Sequence, residues 1–357
     1  MFAQPIGSQL MRSKCLVSFV KRCSSLCTNV ENVEKHPRFQ CDTRLLKVGI
    51  IGVPNSGKST IINQLMDRKA CPTSSKVHTT RSTAMGIITV GDTQIVFLDT
   101  PGLINENEKK RFNLENSFLK DSRRALREAD IVGVIHDVSN SHSRDRLDIK
   151  IINLLESNKD KQSILILNKI DILKSKRKLL DITRLLTDNC VDGKPIPGHQ
   201  QHSTKLDFEK ETKAWPYFKD IFMVSALTGD GLPEVKKYFV DKSKPGEWMF
   251  PDNIWTDKSA EEIIQSSVQA KLLDFLPQEI PYSLIVEIEY FHINEQGVIN
   301  TVVLVKTPSI RLSKLIAGGG YGKLRQIIQS VQEDLQNAFK NFVRISIVLD
   351  PPPQIAK

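Results

Sequence analysis

The sequence predicts an α/β chain: a mostly parallel sheet with helices on both faces, followed by a smaller α+β unit. Three observations carry this. From Leu45 onward, short β-branched apolar runs alternate with helical stretches, the pattern of strands buried on both faces. Pro and Gly cluster at KSKPGEWMFPDN (242–253), where a new unit begins. Beyond it the order is helix, strand, strand, glycine-rich loop, helix, strand.

The elements follow in order. Residues 1–44 form a leader. Its first 30 residues lack Asp and Glu and carry Arg12, Lys14, Lys21 and Arg22 among Ser and apolar residues. That is the composition of a mitochondrial transit peptide, with a plain unstructured tail as the alternative. Strand candidates are 45–53, 83–90, 94–100, 129–139, 162–171 and 220–226, with helical stretches such as STIINQLM (59–66) and LDIKIINLLES (147–157) between them. Residues 188–214 are polar, hold Pro and Gly and lack periodicity, which reads as a surface insertion. The first unit thus spans 45–243 and a linker covers 244–257. The second unit spans 258–350, before a tail of 351–357. Ser259 and Glu262 fit a capping box opening a helix through about Phe275. SLIVEIEYFHI (283–293) and VINTVVLVKT (298–307), joined by NEQG, read as a hairpin. A helix over 323–339 and a strand over 343–350 close the unit.

Charge and cysteines bound the function. The chain of 357 residues has net charge +9, which favours an anionic partner such as nucleic acid. Residues 251–357 carry a net charge of −2, so RNA binding there requires a local basic patch. No apolar run reaches the roughly 20 residues that span a bilayer. Cys15, Cys23, Cys27 and Cys41 lie in the leader and Cys71 and Cys190 in the body, with no metal or redox spacing. The compartment implied is reducing.

The chemistry begins at Gly52-Val53-Pro54-Asn55-Ser56-Gly57-Lys58-Ser59, which follows a strand and opens a helix continuing through Thr60. Glycines let backbone N–H groups approach phosphate oxygens, and the helix N-terminus adds positive potential. Lys58 reaches the β- and γ-phosphates, and Ser59 offers its hydroxyl to Mg²⁺. Asp99-Thr100-Pro101-Gly102 ends a later strand. An Asp there can hold Mg²⁺, and the Gly102 amide can sense the γ-phosphate. Asn168-Lys169-Ile170-Asp171 closes another strand. The Asp171 carboxylate can accept guanine N1–H and the 2-amino group, donors that adenine lacks. Lys169 can lie across the base, and Asn168 can bridge base and loop. Ser225-Ala226-Leu227 offers a backbone amide to the guanine O6. Four such elements at strand C-termini converge on one crevice of an open sheet and imply GTP hydrolysis. Thr79 and Thr80 both could complete the Mg²⁺ shell. Leu103 stands where a water-orienting glutamine is expected, so turnover should be slow and need help. Asn55 is a candidate support for K⁺.

These residues together resemble the Era family of GTPases, mitochondrial branch. The matching pieces are GVPNSGKST, TTR, DTPGL, NKID, VSALTGDGL and KLLDFLPQEIPYSLIVEIE (271–289), over roughly residues 45–350. The resemblance selects Thr80 over Thr79. It implies a P-loop GTPase domain followed by a type II KH domain. It further implies binding to small-subunit ribosomal RNA near its 3′ end and a role in assembling the mitochondrial small subunit, in the matrix. Peripheral contact with the inner membrane is a secondary expectation; no stable protein partner is implied.

KH domains clamp nucleotides with a GxxG loop. Here the stretch is Ile316-Ala317-Gly318-Gly319-Gly320-Tyr321-Gly322, one residue longer than the family pattern. Gly319–Gly322 fits GxxG; Ala317–Gly320 is a degenerate version in the usual frame. Arg311, Lys314, Lys323 and Arg325 lie near enough in sequence to supply charge, or they form an ordinary solvated face. Lys109, Lys110, Arg111, Lys120, Arg123, Arg124 and Arg127 form a second basic set, either solvated, RNA-facing or membrane-facing. Two rival readings are an RNA chaperone with a vestigial, non-hydrolysing G domain, which Leu103 favours, and a tRNA-modification GTPase, which would lack the KH unit.

Overall fold

The computed structural model describes residues 43–73, 84–100, 117–175, 177–196, 213–277, 280–318 and 322–352; the side chains of 84 and 117–122 also lie outside the description. The first unit runs β1 (Arg44–Ile51), α1 (Lys58–Met66), β2 (Ala84–Val90), β3 (Thr93–Asp99), α2 (Ser117–Glu128), β4 (Ile131–Asp137), α3 (Ile149–Glu156), β5 (Gln162–Asn168), α4 (Arg177–Leu186), β6 (Cys190–Val191), β7 (Lys194–Pro195), β8 (Phe218–Met223), α5 (Leu232–Lys242) and β9 (Lys244–Pro245). The main sheet has the order β2-β3-β1-β4-β5-β8. β1, β3, β4, β5 and β8 are parallel, and β2 runs antiparallel to β3.

Two cores explain the near-continuous apolar strands. On one face Ile61, Ile62 and Leu65 of α1 and Val235 and Phe239 of α5 pack on Leu46, Val48 and Ile50. On the other, Leu126 of α2, Ile151 and Leu155 of α3 and Ile182 of α4 pack on Ile51, Val132 and Val134. Neighbouring residues on one strand face opposite cores, so neither side can be polar.

Two segments carry more structure than the sequence reading gave them. The stretch 188–214 starts as an ordered hairpin. Asp192 and Gly193 turn β6 into β7 with φ of 53° and 70°, the left-handed pair that a type I′ turn demands and that an Asp-Gly dipeptide signals. Residues 197–212 are outside the description, and Trp215 returns the chain to the core, 3% exposed. The linker 244–257 is packed as well. β9 pairs antiparallel with β1, and Thr256 bridges Gly86. The buried Gln94 side chain accepts from the Met249 and Phe250 amides and donates to Phe250 O. A buried carboxamide needs such partners, and Phe250 and Ile254 need apolar cover. Both demands strap the segment across the sheet.

The second unit runs α6 (Ala260–Phe275), β10 (Ile285–Ile293), β11 (Ile299–Lys306), α7 (Ile310–Ala317), α8 (Lys323–Phe339) and β12 (Val343–Asp350). The reciprocal Ser259–Glu262 capping box is present. In the sheet β10-β11-β12 the first pair is antiparallel and the second parallel. Helices cover one face: Ile264 and Val268 of α6 and Ile327, Val331 and Leu335 of α8 pack on Val303, Val305 and Ile345. This is the α+β type II KH arrangement.

The helix α7 is absent from the sequence expectation, which ran from the second strand directly to the glycine loop. It is short, 8 residues, and buries only Ser313 and Ile316. Its signal was Ser309, whose hydroxyl accepts from the Leu312 amide as an N-cap.

Candidate nucleotide site and glycine loops

The P-loop helix α1 starts at Gly57 with no side-chain cap. Its first amide groups are therefore available to an anion. Gly57 has φ 97°, and a Cβ there would sit 2.2 Å from Asn168 Nδ2. Only glycine fits. Lys58, the next residue, is 7% exposed and folds back on the loop, donating to Gly52 O at 3.2 Å and Val53 O at 3.0 Å. Burial lowers its pKa to about 8, opposed by the Asp99 charge. Pro54 is half-buried, Asn55 is exposed with φ 61°, and Ser56 is fully buried.

Ser59 Oγ donates to Asp99 Oδ2 at 2.8 Å. Asp99 is fully buried, and burial pushes its carboxyl up against the opposing pull of Lys58 and Ser59. Asp99 Oδ1 and Ser56 Oγ are buried without a hydrogen-bond partner among the described residues. A hydroxyl and a carboxylate side by side, with an unsatisfied buried oxygen, are the hard-oxygen donors that Mg²⁺ takes. The residues present fit that ion.

At the base end, Asn168 is 1% exposed. Its Nδ2 donates to Ser56 O at 2.8 Å, and its Oδ1 accepts from the Ala226 amide at 3.0 Å. One side chain thus joins the P-loop to the segment after β8. Lys169, in the left-handed region at φ 66°, pairs with Asp137 at 2.6 Å. Asp137 is missing from the sequence expectation; its place at the end of β4, in the same crevice, was the available signal. Asp171 is exposed in a single 3₁₀ turn after β5. Ser225 is buried, with its amide on Asp230 O. Thr60 lies in the first turn of α1 and lines a cleft of about 150 Å³ shared with Asn63 and Asn337. The structure therefore gathers Gly52, Ser56, Gly57, Lys58, Ser59, Asp99, Asn168, Lys169, Asp171, Ser225 and Ala226 at the C-terminal ends of β1, β3, β5 and β8. Thr79, Thr80, Gly102 and Leu103 lie outside the described residues.

The second loop joins α7 to α8. Gly318 caps α7 with φ 65°, and its amide donates to Lys314 O. A Cβ at Gly318 would lie 2.6 Å from the Cα of Gly322. Gly322 is the N-cap of α8, again with no side-chain cap. The tight bracket is thus Gly318 and Gly322, a pair that neither motif frame, Gly319–Gly322 or Ala317–Gly320, uses as its two ends. Gly319, Gly320 and Tyr321 are outside the description. Arg311, Lys314, Lys323 and Arg325 are all exposed beside the loop. Of the second basic set, Arg123, Arg124 and Arg127 are exposed on α2, and Lys109, Lys110, Arg111 and the Lys120 side chain are outside the description.

Comparison with known proteins agrees with this geometry. Residues 47–169 match the family model described as "50S ribosome-binding GTPase". The chain is 38% identical over 342 residues to "GTPase Era, mitochondrial" of Danio rerio, covering 88% of this chain and 76% of the relative. It is 31% identical over 302 residues to "GTPase Era" of Histophilus somni, covering 84% and 88%. Among solved structures, Era in complex with MgGDPNP and nucleotides 1506-1542 of 16S ribosomal RNA superposes with TM-score 0.68 at 24% identity, over 87% of this chain and 95% of that one. The chain belongs to the Era family of GTPases and hydrolyses GTP.

Proposed function

We propose that this GTPase is a nucleotide-driven switch on mitochondrial small-subunit ribosomal RNA, working in the matrix during assembly of that subunit. The observation that carries it is the second glycine loop. Gly318 has no room for a Cβ beside Gly322, and Arg311, Lys314, Lys323 and Arg325 are exposed on the two helices that the loop joins. Such a loop admits a phosphodiester backbone at short range. The relatives named mitochondrial Era and the Era complex with a 16S fragment support compartment and ligand.

In the nucleotide site, Lys58 leaves the loop carbonyls for the β- and γ-phosphates. Ser59, Asp99 and Thr80 hold Mg²⁺, which supplies charge neutralisation at the phosphate oxygens. Asp171 reads the guanine edge, Lys169 lies along the base, and Asn168 keeps the P-loop and the Ala226 segment in register. The Gly102 amide senses the γ-phosphate. Leu103 offers the attacking water no hydrogen bond, so turnover without RNA is slow. Asn55 would support a K⁺ ion, whose charge would help neutralise the phosphates; equal kcat in Na⁺ and K⁺ would remove that assignment.

Crosslinking the protein to RNA in cells, with read ends mapped, tests the reading. Enrichment toward the 3′ end of small-subunit rRNA is expected. Reads scattered over messenger RNA with no such enrichment would overturn it. GTP binding with no turnover, even with rRNA present, would instead favour the RNA chaperone.

A further inference from the structure

The strap that leads into the KH domain brings a charge to the metal end of the nucleotide site. Thr256 bridges Gly86 antiparallel, and the Ile87 amide donates to Trp255 O at 2.9 Å. The Met85 amide donates to Asp257 Oδ1 at 3.0 Å. The strap thus lies along the outer side of β2, the edge strand of the sheet. Position 86 faces α1, since a Cβ there would lie 2.9 Å from Ile62 Cγ2 and 2.6 Å from Met66 Sδ. Thr256 lies opposite it, and Lys258, two residues on, shares that face. Asp99 is on the same face, where it accepts from Ser59 of α1. β3 pairs with β2 so that Asp99 stands opposite Ala84. Carrying the Gly86–Thr256 register two residues further puts Lys258 opposite Ala84, in one cross-strand row with Asp99.

Two strand spacings of about 4.8 Å separate the ends of that row, a span that an extended lysine side chain largely covers. Lys258 is half-buried and, among the described residues, in no ion pair. The carboxylate beside it, Asp257, is taken by the Met85 amide. Two buried groups register its charge. Burial raises the Asp99 carboxyl, and Lys58, Ser59 and then Lys258 pull it back. Burial and Asp99 raise the Cys71 thiol, and Lys258 opposes them. Cys71 is itself fixed to α1: Asn63 Nδ2 donates to Cys71 O at 2.7 Å, and the Cys71 amide donates to Asn63 Oδ1 at 2.8 Å.

We propose that Lys258 is the counter-charge of Asp99 before Mg²⁺ arrives, and that Mg²⁺ binds against it. This rests on the reading of Asp99 as a holder of Mg²⁺. An ammonium and a divalent cation drawn to one carboxylate repel each other, so Lys258 weakens Mg²⁺ binding. It stands one residue before the Ser259 cap of α6. The charge that Mg²⁺ must overcome is therefore borne by the KH side of the chain.

The test uses the full chain loaded with a fluorescent GDP analogue and titrated with Mg²⁺. Lys258→Met keeps the aliphatic stem and removes the charge. It should tighten Mg²⁺ binding about fivefold, and the gain should shrink at high salt. Lys258→Arg keeps the charge and should match the wild type. GDP affinity without Mg²⁺ should not change. A loss there would put the ammonium on phosphate and overturn the proposal. A second measurement needs neither metal nor nucleotide. Lys258→Met should lower Tm by about 2 °C, and the loss should vanish once Asp99→Asn has removed the charge that Lys258 serves. Mg²⁺ affinity no tighter in Lys258→Met, or a Tm loss undiminished in the Asp99→Asn background, overturns the proposal. Asp99→Asn alone tests the premise: unchanged Mg²⁺ affinity in that variant removes the Asp99 assignment, whatever Lys258 does.

Discussion

Gly57 and Gly322 each cap a helix without a side-chain hydrogen bond, and each is followed by a lysine at the first helical position. The surroundings differ. Lys58 is buried and turned onto loop carbonyls, beneath a sheet edge that supplies Asp99 and Asn168. Lys323 is exposed at the start of α8, beside a loop between two helices. The same local device, bare amides at a helix start plus a cation, thus serves a discrete nucleotide in one place and suits a polymer backbone in the other. Burial makes the difference: it strengthens each charge interaction and demands exact partners, whereas an exposed loop accepts any phosphate that passes.

The comparison breaks most easily at Lys58. Lys58→Ala removes charge-assisted contacts to two phosphates and should weaken GTP binding by on the order of 10²- to 10³-fold, read by titration with a fluorescent analogue. RNA affinity in the nucleotide-free state should not move. Asp171→Asn loses an acceptor for two guanine donors; the preference for GTP over ATP should fall by about 10²-fold, and full retention in a competition assay would refute the base-reading role. The buried lysine also gives a pH signature. Bound phosphate favours the charged amine, so above pH ~8 nucleotide binding takes up a proton, and affinity should fall up to about tenfold per pH unit. In the nucleotide-free chain the sign reverses. The folded state releases this proton at about 8 and the unfolded state at 10.5, so the group adds stability as pH climbs between them.

The second loop is tested by shape first. Gly318→Ala puts a Cβ against Gly322 at a positive φ. It should destabilise the KH unit by more than about 1 kcal/mol in urea melts and weaken RNA binding while sparing GTP. Lys323→Ala should have the smallest effect: a uniform loss of a few-fold in RNA affinity and a salt slope shallower by about 1.

Much of this was legible in the chain. GVPNSGKST and NKID announce their chemistry because phosphate and guanine recognition rest on short contiguous loops. The capping box at Ser259 and Glu262 and the helix 323–339 are local patterns and stand where periodicity puts them. The short α7 escaped because it buries so little of itself. The Asp192-Gly193 hairpin escaped because its polar neighbours hid a turn signal. The frame of the glycine loop could not come from motif spacing, since the one full match, Gly319–Gly322, overlaps the degenerate Ala317–Gly320 in the usual frame. The approach of Gly318 to Gly322 depends on how α7 and α8 meet.

By itself, then, the sequence determined that the chain is a GTPase and that a KH unit follows, because those features are written in runs of a few residues. Tertiary structure alone decided that 244–257 is a strap, that Asn168 ties the P-loop to Ala226, and that Asn337 holds Lys69 from 268 positions away. The physical reason is the same in each case. A buried or gripped polar group is satisfied by whatever the fold brings to it, and no local pattern names that partner.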